Sequence, residues 1–273
     1  MRSIEIIAGK VRRKFRRRLN QMSGDAPRIF FCHVPKCAGV AITAQIWQSV
    51  FDGHNVSTFN VDLNGSLRAS KLFSMDRMKV RELILAYNLA IPQNHFGTGH
   101  VSCRPDLVEN FMDEWNFITI LRNPVDRWIS EYVYNTYKKS DWAKNTLSIE
   151  EYVESERGRI TAISFVRYFS SMPENYAENL DEFVDEAIMN LGRFSVLGTV
   201  ENLDRWCEKF RERYKKTISI PPKNISPNVE VAAKIRSNPS LMKKIQRLCE
   251  PDTRIYQIIT EQTAHQSTAT LEQ

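Results

Sequence analysis

Apolar and polar positions alternate along the chain in blocks that predict strands followed by helices. Residues 29–34 form a nearly continuous apolar run, which is typical of a buried parallel strand. From residue 39 to residue 50 the apolar positions recur at helical spacing instead. The same succession recurs at residues 117–137 and again at residues 194–214. Helices between apolar strands predict an α/β fold, a central parallel sheet flanked by helices in a single domain.

Three further segments have helical periodicity, at residues 67–90, 160–169 and 180–191. Residues 1–26 are predicted to be a basic appendage and residues 263–273 a loose polar tail. The folded domain is therefore expected to span residues 27–262. Capping signals predict the start of two helices, Asn123 before Pro124 and Ser148 with Glu151.

The turn after the first strand has the features of an anion site. A helix that begins near Gly39 leaves backbone N–H groups unpaired at its first turn, and its dipole favours an anion there. Lys36 adds a positive charge at the same turn. A phosphate or sulfate cradle and a plain turn with a solvated lysine are about equally supported by the spacing alone. The nucleotide-kinase motif G-x-x-x-x-G-K-[ST] is absent, so no hydroxyl ligand for Mg²⁺ is expected.

The turn after the second strand carries a second candidate anion site. Arg122 ends the strand, and Ser130 lies eight residues later on the following helix. A guanidinium fork and a hydroxyl together suit a phosphate group. Taken alone, the segment is better explained by surface ion pairs, Arg122 with Asp126 or Arg127 with Glu131.

Taken together, the two turns resemble the signatures of sulfotransferases that use 3′-phosphoadenosine 5′-phosphosulfate (PAPS). Residues 35–41, PKCAGVA, resemble the loop that binds the 5′-phosphosulfate, and residues 122–132, with R-x-P-x-x-R-x-x-S-x-Y, resemble the element that binds the 3′-phosphate. Residues 96–102, FGTGHVS, resemble the Gly-His-Val segment of carbohydrate sulfotransferases, particularly the heparan sulfate 2-O-sulfotransferase group. The similarity runs in patches over residues 28–259 and implies a P-loop-like sheet.

This resemblance implies a role for each matched position. His100 would be the catalytic base, and Lys36 would stabilise charge on the bridging oxygen of the donor. Val40 and Ala41 stand where the family usually has Thr or Ser, so backbone N–H groups alone are expected to serve there. The residues expected to bind the donor are Lys36, Cys37, Ala38, Gly39, Val40, Ala41, Arg122, Ser130, Asn224 and Ser226.

The expected function is in-line transfer of a sulfuryl group from PAPS, as co-substrate, to an acceptor hydroxyl, with no metal. The resemblance around His100 favours a carbohydrate acceptor. Residues 52–95 and 134–175 fill the intervals between the motifs and are expected to shape the acceptor cleft. Two alternatives stay open: a sulfotransferase for tyrosine or a small alcohol, and a nucleotide-binding or membrane-docking protein without catalysis.

The thiols and imidazoles of the chain predict no metal site. Five scattered cysteines indicate reduced thiols. Cys37 has no partner that would make it a nucleophile, and Glu201 is a distant second to His100 as a base. The residues that match no familiar zinc spacing are Cys32, His33, Cys37, His100 and Cys103.

Positive charge is concentrated at the amino-terminal end. The net charge is +6, yet residues 1–18 hold eight Lys or Arg against one Glu, so the other residues sum to −1. Residues 10–18 are expected to contact an anionic membrane or an acidic polymer, with no nucleic-acid partner expected; a solvated or oligomer-packing helix is equally supported. No apolar stretch approaches the roughly 20 residues of a membrane span, and no secretory signal is visible. A cytoplasmic location, peripheral at a membrane, is therefore expected.

Overall fold

The computed structural model describes residues 26–173, 180–220 and 228–268. Its centre is a four-stranded sheet in the order β2-β3-β1-β4, with every pair parallel. Helices flank this sheet, so the predicted α/β architecture is confirmed. The strands are β1 (Ile29–Cys32), β2 (Ser57–Val61), β3 (Asn94–Gly99) and β4 (Asn116–Ile118).

The helices account for most of the remaining described residues. In chain order they are α1 (Gly39–Ile46), α2 (Leu63–Phe73), α3 (Arg77–Ala90), α4 (Pro105–Phe111), α5 (Pro124–Tyr137), α6 (Ile149–Glu154), α7 (Glu156–Ala162), α8 (Ser164–Phe169), α9 (Asp181–Leu191), α10 (Leu203–Tyr214), α11 (Val229–Arg236), α12 (Pro239–Leu248) and α13 (Glu250–Thr268). A π-helical turn, Trp47–Phe51, continues α1, and a 3₁₀ turn, Val200–Asn202, precedes α10. Across the described ranges, no helix combines the length and apolar character needed to cross a membrane.

The strand β1 lies in the middle of the sheet and is completely buried. Its residues pair with β3 on one side and with β4 on the other, which explains why both faces of this segment are apolar. Phe30 shows how the core is built, because its ring lies 6.0 Å from that of Phe59 and 6.1 Å from that of Phe117. The apolar run read from the sequence is therefore the central strand.

The order of the strands determines where a ligand can bind. The chain leaves β1 toward the sheet edge at β2, returns through β3, and then crosses to β4 on the other side of β1. The chain leaves β1 toward β2, whereas the segment that follows β4 pairs on the other side of β4. In parallel sheets, ligands generally bind at the carboxyl ends of neighbouring strands whose connections diverge in this way. The loops that follow β1, β3 and β4 all meet at this edge, and they carry Lys36, His100 and Arg122.

The third predicted strand, at residues 194–200, is not a continuous strand. The segment makes two isolated parallel bridges, Ile118 with Val196 and Leu121 with Thr199. Hydrogen bonds from Thr119 N to Val196 O (3.0 Å) and from Leu121 N to Gly198 O (2.9 Å) hold it beside the end of β4. Because β4 is only three residues long, residues 194–200 have no regular strand beside them with which to form a continuous ladder.

The predicted helix at residues 67–90 is two helices, α2 and α3. Ser74 adopts a left-handed conformation with φ of 48° and ends α2. Asp76 then caps α3, because its carboxylate accepts a hydrogen bond from Lys79 N at 2.7 Å. The apolar periodicity continues across the break, so periodicity alone could not predict where α2 ends and α3 begins.

The predicted helix at residues 160–169 is likewise interrupted, at Ile163 between α7 and α8. The buried carboxylate of Asp252, from the first turn of α13, accepts hydrogen bonds from Phe165 N and Val166 N at 2.8 and 3.1 Å. A distant residue therefore caps α8, which local sequence could not indicate. The helices at residues 180–191 and 203–214 and both capping signals are confirmed. Helix α13 extends into the predicted loose tail, as far as Thr268.

Candidate functional site

The loop between β1 and α1 has an unusual backbone. Lys36 and Ala38 both have positive φ angles, 68° and 58°, although neither is glycine. Alternation of left- and right-handed residues turns successive N–H groups toward one point, an arrangement that favours anions. No side chain caps α1, and Ile42 N is bonded only to Ala38 O, at 3.4 Å. The N–H groups at the first turn of α1 are thus available to an anion from outside the helix.

Gly39 is needed in this loop because the imidazole of His33 lies directly against it. A Cβ atom at position 39 would come 1.9 Å from His33 Cδ2. The same imidazole stacks on Phe31 and lies 4.1 Å, between ring centroids, from His100. His33 therefore fills the space between the loop and the end of β3.

The hydrogen bond of His100 defines its tautomer. Its Nδ1 lies 2.6 Å from the carbonyl oxygen of His33, and a carbonyl can only accept, so Nδ1 carries the proton. In the neutral ring, Nε2 then has the free lone pair. The backbone of His100 is fixed as well, because Arg81 Nη1 donates to its carbonyl at 3.0 Å. This tautomer makes Nε2 the nitrogen of the ring that can accept a proton.

Burial favours the neutral form of both imidazoles. Burial lowers the pKa of His100, against the opposing effects of its bond to the His33 carbonyl and the charge of Glu131. Burial, followed by His100 and Lys36, lowers the pKa of His33 to about 3. Protonating either ring would place a charge in a buried space, so burial favours the neutral, basic form of His100.

The two cations predicted from the separate motifs lie beside each other. Arg122 Nη1 donates to Lys36 O at 3.3 Å. The Lys36 ammonium lies 4.0 Å from the centre of the Tyr134 ring, a cation–π contact. Burial lowers the pKa of Lys36, Glu131 raises it and Arg122 lowers it further. The loop after β1, the end of β4 and one face of α5 thus form a single cationic surface.

Helix α5 supplies that face from its second to its third turn. Ser130 and Tyr134 are four residues apart and lie on the same side of the helix, which puts Ser130 one turn from the ring beneath Lys36. Arg127 is fully buried and pairs with Glu131, Nη1 to Oε2, at 2.7 Å. The ion pair named as the alternative to a phosphate site therefore forms, but inside the protein instead of on its surface.

Three of the residues expected to bind the donor need comment. The Cys37 thiol is buried, and the backbone N–H of Cys37 donates to Val34 O at 3.4 Å in a turn. Neither the thiol nor this N–H is therefore directed to a ligand. Burial also raises the pKa of Cys37 to about 12, which argues against a thiolate nucleophile. Asn224 and Ser226 lie outside the described residues.

Glu201 has a structural role beside the site. Its Oε1 accepts from Asn123 N at 2.9 Å, and its Oε2 accepts from the Tyr256 hydroxyl at 3.0 Å. Both oxygens are therefore engaged in joining the end of β4 to α13. This arrangement leaves His100 as the better placed base.

Sequence reasoning missed two residues that shape the site, Tyr134 and Arg81. Tyr134 could have been found, because it lies one helical turn after Ser130 on α5. Arg81 had no local signal, since its contact with His100 depends on how α3 packs beside β3. Its Nη2 is buried and, among the described residues, has no hydrogen-bond partner.

A cavity of about 260 Å³ lies next to the end of β3. Its walls come from the start of α3, the segment just after His100, and residues 167–173. It thus draws on both ranges expected to shape an acceptor cleft. Its charged and hydroxyl-bearing lining residues are Asp76, Lys79, Glu82, Ser102, Arg104 and Arg167.

Among the described residues, no group of three or more His, Cys, Asp or Glu side chains could hold a metal ion. No protein-family model matches the chain. A comparison with curated proteins also gives no match.

Proposed function

We propose that this protein is a PAPS-dependent sulfotransferase with a P-loop-like sheet, acting on a hydroxyl of a carbohydrate. The observation that carries the proposal is the convergence of three loops at the carboxyl edge of the sheet. One offers uncapped N–H groups and Lys36, the second an oriented His100, and the third Arg122. A donor with separate 5′ and 3′ anionic groups requires two such cationic positions side by side.

In this proposal, each residue of the site has a separate role in the transfer reaction. PAPS supplies the sulfuryl group and a stable bisphosphate leaving group. The N–H groups of residues 38–41 would hold the 5′-phosphate, and Arg122 with Ser130 would hold the 3′-phosphate. Lys36, fixed over Tyr134, would stabilise charge on the bridging oxygen, and His100 would take the hydroxyl proton at Nε2.

The cavity beside β3 supports an acceptor richer in hydroxyls than a simple alcohol. It adjoins the segment of His100 and is lined by both donors and acceptors of hydrogen bonds, which suits the many hydroxyl groups of a sugar. Transfer of labelled sulfate from PAPS to polysaccharides, tyrosine peptides and small alcohols would test the proposal. Labelling of polysaccharide alone agrees with it. Labelling of only the other two classes, or of nothing, would reject the carbohydrate assignment.

Arg122→Ala should weaken binding of adenosine 3′,5′-bisphosphate by roughly ten- to a hundredfold, the loss expected when a charged hydrogen-bond donor is removed. Binding of AMP, which lacks the 3′-phosphate, should change little. Calorimetry with both nucleotides measures the difference. Arg254→Ala is a matched control, because this arginine pairs with Asp181 at the protein surface. Equal weakening of the two nucleotides would remove Arg122 from the 3′-phosphate site.

A further inference from the structure

Helices α2 and α3 form a hairpin that flanks the candidate site. Arg81 links the two helices, because its Nε donates to Ser66 Oγ at 3.0 Å while its Nη1 reaches His100 O at 3.0 Å. Arg81 therefore places this part of the hairpin beside the carboxyl end of β3. The hairpin tip, residues 72–76, lies just before α3 begins, about one helical turn ahead of Arg81, and thus at the same edge of the sheet as Lys36 and Arg122.

Bulky apolar side chains of this tip are exposed to solvent. Leu72, Phe73 and Met75 are 77%, 68% and 39% exposed. The turn that presents them is well defined, because Ser74 is left-handed and Met75 N donates to Ser70 O at 3.1 Å. Neighbouring apolar residues held out from the core in this way indicate a surface that meets something apolar.

The surroundings of the tip are positively charged. Over residues 66–80, four Lys or Arg stand against a single acidic residue, Asp76, whose carboxylate already caps α3. Lys79 pairs with Glu82 at 3.3 Å, and the other three cations add the net positive charge of the tip. All four are exposed: Arg68, Lys71, Arg77 and Lys79. Apolar side chains surrounded by cations suit an anionic bilayer, since the apolar groups enter the acyl region while the cations remain at the headgroups.

Other occupants fit this chemistry less well. A second copy docked tip to tip about a two-fold axis would place two positive patches against each other. A soluble acidic polymer would pair with the cations but would leave Leu72 and Phe73 in water. Residues 10–18 contain seven Lys or Arg, a second element suited to an anionic surface, and stable membrane attachment generally needs two such signals.

We propose that the α2–α3 hairpin tip inserts into the surface of an anionic lipid bilayer. The tip docks the carboxyl edge of the sheet toward the lipid. This inference concerns docking alone and holds whether or not the protein transfers sulfate.

Sedimentation of the full chain with vesicles tests the proposal. Binding should be strong to phosphatidylcholine vesicles containing phosphatidylglycerol and weak to phosphatidylcholine alone. The double variant Leu72→Ser/Phe73→Ser should partition at least about tenfold less into the anionic vesicles. Met189→Ser removes another exposed apolar side chain, on α9, and should bind like the wild type. Unchanged binding of the double variant would overturn the proposal.

A second measurement separates insertion of the tip from attraction by the amino-terminal cations. Phe73→Trp should show additional fluorescence quenching by brominated lipids, compared with the wild type and with Met189→Trp. No additional quenching would mean that the tip stays in water, which contradicts the proposal. Analytical ultracentrifugation of the double variant completes the test, because a wild-type dimer that this variant abolishes would assign the tip to self-association instead.

Discussion

Replacing His100 by alanine is expected to lower sulfate transfer by roughly 10²- to 10⁴-fold, the usual contribution of a general base. Donor binding should remain close to wild type, because the N–H groups of the β1–α1 loop and Arg122 are left in place. The structure adds a specific reason for the loss. Nδ1 of His100 is fixed by the carbonyl of His33, so alanine removes the one nitrogen that is free to accept a proton. Single-turnover assays with calorimetry of the bisphosphate separate chemistry from binding.

His95→Ala provides a matched control for this variant. His95 lies near the start of β3, whereas His100 directly follows the end of that strand. The Nδ1 of His95 also contacts a backbone carbonyl, that of Gln93 at 2.9 Å. Its removal should leave transfer unchanged. Wild-type turnover by His100→Ala would refute the base assignment, as would an equal loss in both variants.

The pH dependence of kcat/KM follows from the lowered pKa of His100. A base must be unprotonated to act, so activity should fall only when the pH drops through the pKa of His100 in the free enzyme. Because burial lowers that pKa, the acidic limb should lie below the ordinary histidine value of 6.5. A limb above 6.5 would be inconsistent with the buried imidazole described above.

Arg127→Met should reduce the free energy of unfolding by about 3–5 kcal/mol, the loss typical of a broken buried ion pair. The guanidinium is fully buried and bonds both Glu131 and the backbone carbonyl of Thr161. Its charge also acts on the buried carboxyl of Asp252, whose pKa burial raises to about 7. The variant should therefore lose more stability above pH 7, where Asp252 is ionised, than at pH 5. Urea unfolding at both values measures the two losses.

Arg236→Met is the control for a surface ion pair that involves the same helix. Arg236 pairs with Asp126 of α5 at 2.7 Å, with both side chains about two-fifths exposed, and its loss should cost at most about 1 kcal/mol. Equal losses of unfolding free energy in Arg127→Met and Arg236→Met would show that the buried pair of Arg127 contributes no more to stability than a surface ion pair.

Much of this site could be predicted from local sequence because its parts are local. A strand, a helix start at Gly39 and the Asn123–Pro124 cap are set by residues within a few positions of one another. Their meeting at one edge follows from the rule that parallel strands present their carboxyl ends together. What could not be predicted is the burial of each cation. Arg122 and Arg127 are five residues apart, yet Arg122 lies beside Lys36 and Arg127 lies inside the protein.

Apart from the local break at Ser74, the structural features that the sequence did not predict share a physical cause, which is control by distant residues. The break between α7 and α8 depends on Asp252, which is far away in sequence. The irregular segment at residues 194–200 depends on the shortness of β4. The position of the His100 backbone depends on Arg81, which no motif marks. In each case the decisive partner comes from another element, so periodicity and capping rules had nothing to detect.

The close contact between His33 and Gly39 links the evolution of two positions. Because the imidazole occupies the volume that any side chain at position 39 would need, even a methyl group there should be accepted only together with a smaller residue at position 33. Orthologues and laboratory libraries selected for folding should therefore show covariation of size at these two sites.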